Sequence, residues 1–224
     1  MPPSPAIAAL CAIDADLAAA IARIGAPVLP ANTREPYEAL VRAIAHQQLH
    51  GRAAEAILGR MIALLPGPFP APDALLALDA AAIRACGFSA TKVATIHGLC
   101  AAALDGTIPT RAEAETLDDA ALIARLTGLR GVGRWTVEML LISTLGRPDV
   151  LPVDDFGVRE GWRLLKRLPE QPRPKALALL GEGFAPYRST LAWYLWRVAD
   201  EGKKISPSPA LLPDPGPGTP PPPP

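Results

Sequence analysis

A chain of 224 residues is long for one domain and short for two large ones, and half of its residues are hydrophobic, which suits a helical protein with a sizeable core. Lys and Arg number 22, as do Asp and Glu, so no long-range field draws the chain to a polyanion. Any nucleic-acid role therefore needs a local basic patch. Three cysteines, Cys11, Cys86 and Cys100, stand too far apart for a metal knuckle and are odd in number for a disulfide framework, so reduced thiols are expected. No apolar run reaches membrane-spanning length, and the N-terminus lacks the basic start and cleavage site of a signal peptide. A cytoplasmic protein with no membrane partner is expected.

In chain order, residues 37–44 place Leu40, Val41 and Ile44 on one helical face. The polar patch Gln47-Gln48-Leu49-His50-Gly51 interrupts the pattern, and 53–65 resumes it. Gly87 reads as a stop, and Ser89 as the N-cap of a helix over 90–104 that Asp105-Gly106 ends. A short helix is expected over 117–126. After Pro148 and Pro152, helices are expected at about 155–168 and 187–200. No strand alternation and no repeat stand out. Residues 207–224 are mostly proline, which donates no backbone hydrogen bond, so a disordered tail of polyproline II character is expected there.

Between the helices expected at 117–126 and after 133 lies Leu129-Arg130-Gly131-Val132-Gly133-Arg134-Trp135-Thr136. Glycines in such a turn let backbone amides point outward with no Cβ to hold a ligand off. The following helix start adds unpaired N–H groups and a positive dipole end, a ready seat for a phosphate, with Arg130 and Arg134 supplying charge. A plain helix–helix turn with a glycine cap would use the same residues, and on Gly131-Val132-Gly133 alone the two readings stand level. Some twenty residues on comes Leu-Pro-Val-Asp154-Asp155-Phe-Gly, two carboxylates at an expected helix start. One cap needs one Asp, so the second is in excess. A carboxylate kept ionised by helix-start amides suits a reaction that develops positive charge nearby.

These motifs resemble those of the 3-methyladenine DNA glycosylase II family, a branch of the helix–hairpin–helix base-excision superfamily. The stretches that carry the resemblance are Leu-x-Gly-Val-Gly-Arg-Trp-Thr, Leu-Pro-Val-Asp-Asp, Pro-Tyr-Arg-Ser-Thr-Leu-Ala-Trp-Tyr-Leu-Trp and, upstream, Ile-Ala-His-Gln-Gln-Leu-His-Gly-Arg-Ala-Ala. They stand in the family's order, across roughly residues 10–203. The resemblance implies an all-α fold of two helical lobes with a cleft between them. One lobe spans 37–149; the other joins 1–36 to 150–206.

It also implies roles. Asp155 is the catalytic carboxylate, with Asp154 as a cap or helper. The amides of Gly131 and Gly133 hold a DNA phosphate, helped by Arg130, Arg134, Thr136 and Lys92. The carbonyls of Thr127, Leu129 and Val132 bind a monovalent cation, Na+ or K+, on the same phosphate. Gln47, Gln48 and His50 belong to the wedge that fills the gap left by an extruded base. Trp135, Trp196 and Met139 line the base pocket. The chain departs from the family's pattern in having His50 where many relatives have serine, and Met139 where some have a pocket tyrosine. The extra N-terminal sheet domain of longer relatives and the cysteine array of an iron–sulfur cluster have no counterpart in the sequence. Trp135 stands where bifunctional branches keep a lysine nucleophile.

The expected activity is hydrolysis of the N-glycosidic bond of alkylated purines, 3-methyladenine and 7-methylguanine, in double-stranded DNA, by a monomer, bacterial-type and nucleoid-associated when bound. It needs no organic cofactor. Three other readings remain. One is a glycosylase of the same fold for deaminated or oxidised bases. Another is a non-catalytic helix–hairpin–helix DNA-binding module, against which Asp155 and the tryptophans speak. The last is a helical enzyme unrelated to DNA, which the zero net charge favours and a basic face of Arg52, Lys92, Arg130 and Arg134 opposes.

Overall fold

A computed structural model describes residues 4–27, 32–48 and 51–205. Leu49 and His50 of the expected wedge, and the proline-rich segment 207–224, lie outside the described residues. Among the described residues the chain is helical, with no strand. The helices are α1 (Pro5–Ile13), α2 (Ala15–Ile24), α3 (Pro36–His46), α4 (Gly51–Ile62), α5 (Pro72–Leu76), α6 (Ala80–Ala85) and α7 (Ala90–Leu104). They continue with α8 (Arg111–Thr116), α9 (Asp119–Thr127), α10 (Arg134–Ser143), α11 (Phe156–Leu165), α12 (Pro174–Gly181), a 3-10 turn (Glu182–Phe184) and α13 (Arg188–Ile205).

Side chains at the helix starts explain most of these boundaries. Ser4, Asp14, Asp79, Ser89, Thr110, Asp118 and Asp155 each accept a first-turn amide of the helix that follows. Helices α3, α5 and α12 begin on a proline instead, whose missing N–H needs no partner. Helix α10 has neither device, because its N-cap is Gly133. The helix expected at 90–104 has those bounds. The one expected from 117 begins at Asp119 because Asp118 caps it. The one expected at 53–65 starts earlier, at Gly51, and ends at Ile62.

Buried side chains form two clusters. Leu40, Ile44, Leu58, Ile96, Leu122 and Leu141 belong to the first, built on the helices from α3 to α10. Leu10, Leu17, Trp162, Leu177, Tyr194 and Leu195 belong to the second, in which α1 and α2 pack with α11, α12 and α13. Each such side chain contributes about 1.5–3 kcal/mol by leaving water.

The segment between α10 and α11 joins the clusters, and polar contacts fix its path. Arg188, at the start of α13, forks onto Asp149 with Nε–Oδ1 at 2.7 Å and Nη2–Oδ2 at 2.8 Å. That guanidinium holds the Asp149 carboxyl below the usual carboxylate range. Ser189 Oγ accepts from Val150 N–H at 2.9 Å and donates to the Arg147 carbonyl at 2.6 Å. From the N-terminal side, Asn32 Nδ2 donates to the Ser143 carbonyl at 2.7 Å. These contacts leave residues 151–155 leading from one cluster to the other, with Asp155 at the start of α11.

Candidate active site

The turn between α9 and α10 is held by its middle residue. Val132 is 4% exposed and packs into the first cluster, whereas Gly131 and Gly133 face outward. The two glycines serve different needs. Gly131 has φ +82, a left-handed conformation, and a Cβ there would come 2.9 Å from Thr95 Cγ2. Gly133 has φ −88, open to any residue, and a Cβ there would meet nothing within 4 Å. Nothing inside the protein requires a glycine at 133.

With no side chain to cap α10, the first intrahelical bond is Val137 N–H to the Gly133 carbonyl at 3.2 Å. The amides of Arg134, Trp135 and Thr136 then carry no helical partner and sit at the positive end of the dipole. Arg130 and Arg134 are both exposed beside them. Arg134 Nε donates to Glu138 Oε1 at 2.9 Å, and the Glu138 side chain is only 3% exposed. Burial raises the Glu138 carboxyl above its ordinary value; the Arg134 contact lowers it, and the negative charges of Asp154 and Asp155 push it further up.

Two expected DNA contacts have other partners here, and a third is buried. Thr136 is 3% exposed, in the first turn of α10 with its side chain buried, which leaves its amide for meeting a phosphate. Lys92 Nζ donates to the carbonyls of Ala45, at 2.9 Å, and Gln47, at 2.7 Å, at the C-terminal end of α3. Partial burial lowers its ammonium pKa. Gln47 Nε2 donates to the Gly131 carbonyl at 3.2 Å, tying the α3–α4 loop to the hairpin. Lys92 and Gln47 therefore shape the expected wedge loop from within. Gln48 is exposed and has φ 57, left-handed without being glycine, a conformation that costs about 1–2 kcal/mol. Strain of that kind collects where a loop must present a side chain in one direction.

Asp155 is the best-supported polar group of the site. Its Oδ1 accepts from Val158 N–H at 2.8 Å, as the N-cap of α11, and from Trp196 Nε1–H at 2.8 Å. Its Oδ2 accepts from Trp135 Nε1–H at 2.7 Å. Donors from α10, α11 and α13 thus converge on one carboxylate. Asp154 is exposed and takes none of these three bonds. The sequence reading assigns Trp135 and Trp196 to the base pocket; the structure commits their N–H edges to Asp155.

Trp196 also lines a cavity of about 780 Å³ between the two clusters, and Met139 lines a smaller neighbouring one. The two cavities share Asn32, Arg34, Ser143 and Thr144 in their walls. The cations there have partners: Arg42 Nε lies 2.8 Å and Arg34 Nε 3.5 Å from Glu38, and Arg111 Nε lies 2.9 Å from Glu115. Glu138 was not singled out from sequence, although Arg-Trp-Thr-Val-Glu has the i,i+4 spacing of a helical pair. The indole–carboxylate bonds carry no sequence signal, because Trp196 comes 41 residues after Asp155.

Comparison with known proteins places the chain in a family. The family described as HhH-GPD superfamily base excision DNA repair protein matches residues 41–186. The chain is 47% identical over 178 residues to DNA-3-methyladenine glycosylase 1 of Schizosaccharomyces pombe, covering 78% of each sequence. It is 33% identical to the alkylbase DNA glycosidase-like protein mag2 of the same organism, over 84% of this chain and 90% of that one. Among solved structures, the S. pombe 3-methyladenine DNA glycosylase in complex with abasic DNA superposes with a TM-score of 0.80 at 43% identity, covering 87% of this chain and 96% of that one. A DNA-3-methyladenine glycosidase from Bacillus halodurans gives 0.81 at 33% identity, covering 90% and 92%. The chain belongs to the HhH-GPD superfamily of base excision DNA repair proteins.

Proposed function

We propose that the protein is a monofunctional DNA glycosylase of the 3-methyladenine glycosylase II type, acting as a monomer on alkylated purines in duplex DNA and leaving an abasic site. The observation that carries this is the Asp155 carboxylate, held by three N–H donors next to the uncapped start of α10. In support, relatives that this chain covers over most of their length are named as glycosylases for 3-methyladenine or alkylbases.

The chemistry follows from that placement. The target nucleotide leaves the stack at a cost of about a few kcal/mol, offset by phosphate contacts at the hairpin amides and by the loop after α3 filling the gap. The C1′–N bond breaks with its electron pair going to the base. A 3-methyladenine or 7-methylguanine base is cationic before cleavage and departs neutral. The sugar is left as an oxocarbenium ion, and Asp155, fixed in orientation, faces that positive charge with its own negative one. Water adds to C1′ and gives up a proton. Trp135, at the position of the lysine in bifunctional branches, cannot form a Schiff base.

A monovalent cation fits the hairpin as an aid to phosphate binding. The Leu129 carbonyl accepts one hydrogen bond, from Val132 N–H at 3.1 Å, and the carbonyls of Thr127 and Val132 accept no turn or cap hydrogen bond among the described residues. Neutral carbonyls of this kind suit Na+ or K+. Its part would be to neutralise phosphate charge; the glycosidic chemistry rests on Asp155.

The test is product analysis on alkylated duplex DNA, with borohydride present in a parallel reaction. Free methylated base, an abasic strand and no protein–DNA adduct are expected. An adduct that depends on one particular lysine contradicts the monofunctional mechanism.

A further inference from the structure

Helix α11 carries Gly157 and Gly161 one turn apart, and both face α13. A Cβ at Gly161 would overlap the main-chain carbonyl of Leu195, so the two helix backbones touch there. This contact fixes the α13 main chain one residue before Trp196. At Gly157, a Cβ would come 2.9 Å from Trp196 Cδ1, 3.2 Å from Asp155 Oδ1 and 3.4 Å from Trp196 Nε1. That Nε1 is the atom that donates to Asp155 Oδ1 at 2.8 Å. The edge of the indole therefore occupies the space a side chain at 157 would take. Gly157 has no positive φ, so its backbone does not call for glycine. Inside a helix, glycine is less favourable than alanine on propensity alone.

We infer that Gly157 is a positioning residue for catalysis: its missing side chain seats the Trp196 indole N–H on the Asp155 carboxylate. The inference rests on the reading of Asp155 as the group that faces the sugar. Backing α13 away to admit a methyl group at 157 would open the close Gly161–Leu195 packing of the same two helices. The rigid indole must rotate, and its N–H leaves Oδ1. Asp155 then keeps the Val158 amide and the Trp135 indole, and loses one of the two donors on its Oδ1.

The test compares Gly157→Ala, Trp196→Leu and the double variant by single-turnover base release, affinity for abasic duplex and the indole N–H resonance of Trp196. Gly157→Ala should release base about tenfold to a hundredfold more slowly, the scale of a small misplacement at the reacting centre. Affinity for abasic duplex should stay unchanged, and the Trp196 indole proton should shift toward the position of a free indole. Trp196→Leu removes both the donor and the obstructing ring, so adding Gly157→Ala to it should change the rate by less than about twofold. A wild-type rate for Gly157→Ala, or the same loss in the Trp196→Leu background, overturns the inference. If Gly157→Ala does not fold, the double variant decides. A folded protein matching Trp196→Leu supports the inference, and an unfolded or further impaired one contradicts it. Should Asp155→Asn release base normally, the catalytic reading fails, while the indole resonance still reports whether Gly157 seats Trp196.

Discussion

The indole nitrogen of Trp196 lies 2.8 Å from Asp155 Oδ1, so a residue of the last helix donates to the N-cap carboxylate of α11. Trp135 closes on the other oxygen at 2.7 Å. Two indoles used this way act as hydrogen-bond donors first and as apolar surface second. Trp135→Phe and Trp196→Phe, which keep a ring and delete the N–H, should each slow single-turnover base release by about tenfold or more, as expected for losing orientation at the reacting group. Binding of abasic duplex should change little. An unchanged rate in both variants would show that neither indole N–H is needed singly to hold Asp155.

The hairpin glycines should separate cleanly. Gly133→Val introduces a side chain into open space with an ordinary φ, so the fold should be retained. Affinity should fall for damaged and undamaged duplex alike, because a phosphate contact carries no base information. Gly131→Val must adopt a left-handed backbone against Thr95, at a strain of about 1–2 kcal/mol, and should lower thermal stability as well. Equal melting temperatures for the two variants, followed by thermal unfolding, would contradict the division of labour.

Glu138 should cost the fold stability at neutral pH. Its carboxyl is raised above the ordinary value by burial, so the protonated form is the one the fold prefers. Its favourable contribution is complete below the unfolded pKa of 4.5 and is lost as pH rises through the raised folded value. Glu138→Gln should therefore raise the melting temperature at pH 7, with the gain shrinking as pH falls through the carboxylate range. Arg134→Leu should do the opposite, since it strands Glu138 among Val137, Leu140 and Leu141 without its partner. A binding defect in that variant has to be measured on protein shown to be folded. A melting temperature of Glu138→Gln that falls at pH 7 would mean the Arg134 pair outweighs the burial.

Base selectivity follows from the leaving group. A cationic alkylpurine departs neutral, whereas uracil or 8-oxoguanine departs as an anion unless protonated. Single-turnover release from duplexes of one sequence context should be at least about tenfold faster for 3-methyladenine and 7-methylguanine than for uracil or 8-oxoguanine, the scale of one desolvated cation–π contact. Equal rates for uracil and 3-methyladenine would remove the leaving-group explanation.

Residues that act through local backbone geometry were legible in the sequence. Ser89 capping α7, the glycines of the hairpin and Asp155 at the start of α11 all follow from short-range rules. The short or alanine-rich helices α1, α2, α5, α6, α8 and α12 were not individually placed, because an alanine face gives little contrast between buried and exposed sides. Side-chain partners across the fold were not legible at all. Lys92 reads as a free cation in sequence, yet it reaches carbonyls 45 and 47 residues away. Thr136 reads as part of a DNA contact, yet helical periodicity turns it inward beside Val137 and Leu140. Trp135 and Trp196 read as pocket walls, and only the tertiary placement of α10 and α13 around the start of α11 brings their indole N–H groups to Asp155.

The measurement that bears most directly on the account is release of free methylated base from alkylated duplex DNA by the wild-type protein, Asp155→Asn and Asp154→Asn, with DNA affinity recorded for each. Wild type should release 3-methyladenine and 7-methylguanine, and Asp155→Asn should bind DNA normally while losing release by at least about a hundredfold, the scale of one transition-state electrostatic partner. Exposed Asp154 should cost much less when changed. Undiminished release by Asp155→Asn, or a larger loss in Asp154→Asn, would contradict the assignment of Asp155 as the catalytic carboxylate.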